Sequence, residues 1–238
     1  MLEDRDGSQT YDVKFTEEVK KLTKKEGASL VGIGDFSRHV VDFWDNSLSH
    51  FSKAISLGIH LPDVIINEIY DGPTLAYANL YDEVNTKLDK ITSFITETLH
   101  RNGYEAERIQ ASNIIDETKL RGRFPHKTAA VISRLGWIGK NALLITFEYG
   151  PRIRLATIFT DAPLQPDSPQ KKSMCGDCEI CVRACPVNAI KGNLWEYGIS
   201  RKRLIDPHKC ENHLKKYEKE LGQPVCGICF AVCPYGEK

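Results

Sequence analysis

Apolar residues recur along this chain with two periods, and the alternation between them predicts a mixed fold. Phe15, Val19 and Leu22 stand at helical spacing, with Thr16-Glu17-Glu18 early, Lys20, Lys21, Lys24 and Lys25 later, and Gly27 just past the end. Those charges suit a helix dipole, so a first helix is expected here. Ala28 to Ile33 reads as a short strand closing at Gly34, and Ile55, Leu57, Ile59 and Leu61 alternate as a second strand that stops at Pro62. The strongest helical pattern runs from Leu80 to Leu99, where Leu80, Val84, Leu88, Ile91, Ile95 and Leu99 keep one apolar face and Asn102-Gly103 supplies the stop. Tyr104 to Ile109 follows as a strand and Lys127 to Leu135 as a short helix. Ala142 to Thr146 and Ile153 to Phe159 read as two strands joined through Tyr149-Gly150-Pro151.

Composition adds a size and a compartment. The 238 residues, 41% apolar and 27% charged, are enough for one good core and a smaller appendage. No apolar run approaches the roughly 20 residues of a membrane span, and Met1-Leu-Glu-Asp-Arg-Asp lacks the apolar stretch of a secretion signal, which predicts a cytoplasmic protein with no membrane partner. The 32 basic and 32 acidic residues balance. From Lys171 to Lys238 there are twelve basic and eight acidic side chains, so the first 170 residues are net −4. Neither half reads as a polyanion-binding surface.

Cysteine usage changes the picture most. All eight cysteines lie between Cys175 and Cys233. This break, with Pro163, Pro166 and Pro169 beside it, predicts a boundary near Asp167-Ser168-Pro169: a mixed α/β cofactor domain over residues 1–167 and a ferredoxin-like domain over 168–238. Cys175, Cys178, Cys181 and Cys185-Pro186 form Cys-x-x-Cys-x-x-Cys-x-x-x-Cys-Pro, the bacterial ferredoxin run in which the fourth cysteine serves the other cluster. Cys226, Cys229 and Cys233-Pro234 repeat its last part, and Cys210 stands upstream as a displaced ligand. Crossed ligation predicts two [4Fe-4S] clusters, one on Cys175, Cys178, Cys181 and Cys233, the other on Cys185, Cys210, Cys226 and Cys229. Disulfides would need an oxidising compartment that nothing here signals. Structural zinc favours paired Cys-x-x-Cys knuckles and leaves the third cysteine and both Cys-Pro endings unexplained.

The stretch His126 to Thr146, which contains Leu135-Gly-Trp-Ile-Gly-Lys-Asn141, and the following Tyr149 to Asp161 resemble the epoxyqueuosine reductase family. The match rests on Leu135 to Asn141, Leu144, Gly150, Arg154, Leu155, Thr160 and Asp161, with weaker similarity at Ala54-Ile-Ser-Leu-Gly58 and Tyr77 to Tyr81. The resemblance implies an α+β architecture shared with reductive dehalogenases: a nitroreductase-like, cobalamin-binding-type amino-terminal domain followed by the two-cluster ferredoxin-like module. It implies an oxidoreductase passing single electrons through the clusters to a base-off cobalamin, with ferredoxin or flavodoxin as donor and a small molecule or a protein-bound cofactor as acceptor. A non-catalytic electron-transfer protein is the alternative. Flavin is a further alternative for which no residue pattern speaks.

The same resemblance singles out Gly136, Trp137, Gly139, Lys140, Asn141 and Leu144 as cofactor-binding, glycines letting the backbone approach and Lys140 and Asn141 donating hydrogen bonds. The run reads equally as a tight turn with Trp137 as an aromatic plug and Lys140 exposed. Arg121, Arg123, Arg152 and Arg154 offer contacts to a cofactor phosphate, but scattered arginines read more readily as a solvated face. Two departures matter. Leu120 stands opposite the family's catalytic aspartate, with Asp116 off register, which leaves His126 as the candidate proton donor because imidazole titrates near neutral pH. The sequence closes four residues after Pro234, whereas the family continues into a segment that helps hold transfer RNA; with the balanced charge, this predicts against a transfer-RNA substrate.

Overall fold

The structure, a computed structural model, describes residues 2–3, 10–37, 43, 45–112, 114–168 and 172–236. A two-stranded ribbon, β1 (Leu2–Glu3) with β2 (Thr10–Tyr11), leads into α1 (Val13–Lys25). Asp12 caps α1 by accepting from the Phe15 N–H at 2.9 Å, and Lys24 and Lys25 fall in its last turn. Its buried face is Thr16, Val19 and Thr23, and both threonine hydroxyls donate to carbonyls one turn back.

Strands β3 (Leu30–Asp35), β4 (Lys53–His60), β5 (Ala106–Ile109) and β8 (Ile153–Thr160) form one sheet in the order β3-β4-β8-β5. β3 runs antiparallel to β4, and β5 antiparallel to β8. The intervening elements are α2 (Asp63–Ile66), α3 (Leu75–Arg101), α4 (His126–Ile132) and the hairpin β6 (Gly136–Ile138) and β7 (Leu144–Thr146). The described residues continue with α5 (Ile180–Ala184), α6 (Arg201–Leu204), α7 (Pro207–Leu221) and α8 (Ile228–Ala231).

The strand expected from Ala142 to Thr146 is shorter, because the Ala142 N–H turns back to the Gly139 carbonyl at 2.9 Å with Ala142 in the left-handed region. It pairs with β6 rather than with β8. α7 was not anticipated. None of its residues is buried, so it carries no apolar period to read.

The chain divides into two compact units, and neither is a single stretch. The first gathers Met1–Ile59, Asn85–Leu135 and Leu155–Gln170; the second gathers His60–Val84, Gly136–Arg154 and Lys171–Lys238. The cysteine segment thus shares its unit with two earlier stretches.

In the first unit an aromatic core forms around Phe159, with Phe124 at 4.9 Å and Phe36 at 5.2 Å, both edge-on, among Leu48, Phe51 and Ile132. Gly32 lets α4 close on β3, since a Cβ there would lie 2.1 Å from the Ser133 carbonyl oxygen. Asp167 closes the β3 edge, accepting from the Ile33 N–H at 2.9 Å and from Lys20 at 3.0 Å.

Arg123 ties its own loop to the turn at residues 45–48 and to β5, donating to Asp45 at 2.6 Å, to Ser47 at 3.2 Å and to Glu107. Hydrogen bonds from Ser47 and Arg123 hold the Asp45 carboxyl down at about 2. A carboxylate depressed in the folded state contributes stability above its ordinary value near 4 that is lost as pH falls through the folded value. Arg123→Met is therefore expected to cost about 1 kcal/mol at neutral pH. In chemical denaturation the gap from the parent protein should narrow between about pH 4 and pH 2; a gap independent of pH would count against the pairing.

Candidate metal centre

Local geometry positions each cysteine. The Cys178 N–H donates to the Cys175 carbonyl at 3.0 Å, starting the turn that places Cys181 in α5 and Cys185 just beyond it. The Ala189 N–H donates to Cys185 Sγ at 3.3 Å, a backbone hydrogen bond to a sulfur. Cys210 lies in the first turn of α7, whose start is fixed by Pro207 and by Asp206 accepting from the His208 and Lys209 N–H groups. Cys226 precedes Gly227, which caps α8 in the left-handed region at φ +88 that glycine adopts without strain. Cys229 sits in α8, and Cys233 enters the closing turn Pro234–Gly236.

All eight thiols are free, and they act on one another in two sets. Burial pushes the Cys181 thiol up to about 11, reinforced by Cys175 and Cys178, and pushes Cys233 up to about 12, reinforced by Cys175, Cys181 and Cys178. Burial likewise lifts Cys210 to about 11, with Cys226 and Cys185 adding to it. Cys229 is raised by burial and then by Cys226 and Cys210, with smaller contributions from Cys181 and Cys185. Cys175, Cys178, Cys181 and Cys233 thus act mainly on one another, as do Cys185, Cys210, Cys226 and Cys229, while Cys181 also reaches Cys229; they are called the first and second set below. Folding alone leaves several of these thiols protonated at neutral pH, and binding a metal must displace the protons. Among the described residues no three His, Cys, Asp or Glu side chains are gathered closely enough for a single ion. A lone zinc draws four sulfurs in on bonds of about 2.3 Å, whereas a cubane takes one thiolate at each iron corner across a wider span.

The stretches 60–84 and 136–154 wrap the sets. Asn141 donates to the Cys229 carbonyl at 3.3 Å, and Tyr77 packs edge-on to Phe230 at 5.8 Å. Burial raises the Tyr77 hydroxyl, with Cys229 and Cys226 adding to the effect. Arg152, 1% exposed, donates to Asp63 at 2.8 Å and to the Ala231 carbonyl at 3.4 Å. Its side chain fills the space beside Gly236, where a Cβ would fall 2.7 Å from Nε. The hydrogen bond from Arg152 holds the Asp63 carboxyl below its ordinary value. Arg152 is thus no part of a solvated face; it braces the turn after Cys233. Arg154 lies 4.1 Å from the centre of the Tyr81 ring. No sequence signal marked Arg152, because its burial depends on a partner 79 residues away.

Every residue singled out for the cofactor is internal. Trp137 is 1% exposed, and Lys140, read as exposed in the turn alternative, is buried with Asn141 and Leu144. A Cβ at Gly136 would lie 1.9 Å from the Ile145 carbonyl oxygen, and one at Gly139 would lie 2.9 Å from Asn141 and Ile145 side-chain atoms. Those glycines admit the protein's own chain. His126 lies in the first unit and keeps both ring nitrogens on protein partners, Nδ1 on Thr157 at 2.9 Å and Nε2 on the Gln110 carbonyl at 3.0 Å. A groove of about 610 Å³ in that unit, lined by Ser93, Glu97, His100, Glu107, Arg108 and Arg123, includes none of them.

Residues 174–236 match the family described as the 4Fe-4S double cluster binding domain. The epoxyqueuosine reductase of Listeria monocytogenes is 35% identical over 111 residues, 42% of this chain and 27% of the relative. The chain resembles the epoxyqueuosine reductases. Its fold is also that of a solved reductive dehalogenase, reported for a mechanism of B12-dependent dehalogenation, with a TM-score of 0.72, 20% identity, and coverage of 99% of this chain and 34% of that one. An epoxyqueuosine reductase solved with an epoxyqueuosine-modified tRNA-Tyr stem loop aligns with a TM-score of 0.60 and 19% identity, over 94% of this chain and 66% of that one. The chain therefore spans between about a quarter and two thirds of these proteins. Because one of them holds a transfer-RNA stem loop, the expectation against transfer RNA loses its support. No helix among the described residues is long and apolar enough to cross a membrane.

Substitution separates the two sets. In anaerobically reconstituted protein, Cys181→Ala is expected to release roughly half of the iron and one electron paramagnetic resonance signal, and Cys229→Ala the other half and the other signal. Loss of the same signal in both variants would contradict two independent sets.

Proposed function

We propose that this chain is an iron-sulfur oxidoreductase of the epoxyqueuosine-reductase-like class. The first thiol set would hold one [4Fe-4S] cluster and the second set the other, with a corrinoid as the electron acceptor. The observation that carries the reading is the match of residues 174–236, which hold all eight free cysteines, to the 4Fe-4S double cluster binding domain. Such clusters, when bound, supply one-electron reduction at a potential set by charge, burial and hydrogen bonds to sulfur.

The chain's own part is to hold, insulate and space. Cys181 lies in the short helix α5 and Cys185 directly follows it, so one piece of backbone serves both sets and fixes the step between them. Trp137 and Ile145 pack against Cys233, and the Ala189 N–H supports Cys185. The electron donor fits the class of ferredoxin or flavodoxin. The reducible substrate is a small molecule or a protein-bound cofactor, and a modified transfer-RNA stem loop joins them as a candidate because a similar protein holds one.

Support for the corrinoid comes from resemblance and from the B12-dependent neighbour. Residues 136–144 do not fit as its seat, because their side chains are internal and their glycines are filled by Ile145 and Asn141. The nitroreductase-like description of the amino-terminal part belongs to the same proposal.

Anaerobic titration of the reconstituted protein with cob(II)alamin, read by electron paramagnetic resonance, tests the acceptor. A stoichiometric base-off cobalt signal beside reducible clusters is the expected result. Cobalamin that stays free while both cluster signals are intact would overturn the corrinoid and leave an electron relay to a partner protein.

A further inference from the structure

Buried polar atoms in native proteins have partners, and each exception calls for a reason. Trp137 Nε1 is such an exception. The side chain is 1% exposed, and among the described residues nothing accepts its N–H. Indole nitrogen only donates, so no alternative role relieves it.

The surroundings say what the N–H can meet. Trp137 packs in one buried cluster with Ile145 and Cys233, and Cys175 lies against that cluster. Both cysteines belong to the first thiol set. The ring has little freedom to turn elsewhere. Tyr235 meets it edge-on at 4.9 Å and Phe147 lies at 5.6 Å. Tyr235 is itself anchored, its hydroxyl donating at 2.7 Å to the carbonyl of Met174, the residue before Cys175. From below, the β6–β7 ladder pairs Trp137 with Ile145 and Gly136 with Thr146, and only glycine at position 136 allows that approach.

We propose that the Trp137 indole N–H donates a hydrogen bond to sulfur at the first cluster, either an inorganic sulfide or the thiolate of Cys175 or Cys233, and thereby raises its reduction potential. This rests on the two-cluster reading above. Reduction adds one electron, and the added negative charge spreads onto the sulfurs, so a donor there stabilises the reduced form more than the oxidised one. The proton stays on nitrogen, and the electron comes from the external low-potential donor. The densest motif of the family resemblance then serves the first cluster as part of its wall.

The test uses the full chain, reconstituted anaerobically. Trp137→Phe keeps an aromatic plug and removes the N–H. Potentiometric titration followed by paramagnetic resonance is expected to show both clusters present. One of them should be harder to reduce by about tenfold in its equilibrium, a shift of about 59 mV for one electron. The shifted cluster should be the one absent from Cys181→Ala. Two unchanged potentials with both clusters in place would overturn the proposal. Unsubstituted protein grown with nitrogen-15 indole tryptophan answers without any change in packing: a nitrogen-15 coupling on the first cluster supports the bond, and its absence refutes it. Parent protein that assembles fewer than two clusters would instead defeat the underlying reading, so the two failures are distinct.

Discussion

The packing of eight unpaired thiols into one small unit governs the rest of this structure. Burial raises Cys181 and Cys210 to about 11 and Cys233 to about 12, and neighbouring thiols push in the same direction. Such a shell is uncomfortable as thiolate without a positive centre, so binding and folding are linked: metal must expel protons and supply the compensating charge. The short helices, the capped start of α7 and the Arg152 brace hold sulfurs in place for that exchange.

The metal chemistry was legible because ligand spacing is local. Three cysteines at intervals of three residues, a fourth after four, and two Cys-Pro endings can be read without knowing the fold. Helices α1 and α3 were legible for a similar reason: one face of each faces a core, so its apolar period survives in the sequence. α7 escaped because all of it is at least partly exposed and its placement depends on the Asp206 cap, Pro207 and Cys210 rather than on apolar contacts. Arg152 escaped because a lone arginine looks the same whether it meets water or Asp63. The surroundings of residues 136–144 could not be read either. Glycine freedom points equally to a cofactor or to a neighbouring strand, and here the close neighbour is Ile145.

This bears on how the family resemblance is understood. The stretch from Leu135 to Asn141, which carries most of it, crosses into the cysteine-bearing unit at Gly136. Its Trp137 packs with Cys233, and its Asn141 holds the Cys229 carbonyl, one contact for each thiol set. A motif of this kind is tied to the cysteine-bearing unit and can persist while the substrate changes.

Diffraction at the iron absorption edge, from crystals grown without oxygen, tests the central claim most directly. The account predicts two separate four-iron densities, with Cys233 on the same cluster as Cys175, Cys178 and Cys181, and Cys185 on the cluster shared with Cys210, Cys226 and Cys229. A single metal ion at either set, or Cys185 bound to the same cluster as Cys175, would contradict it.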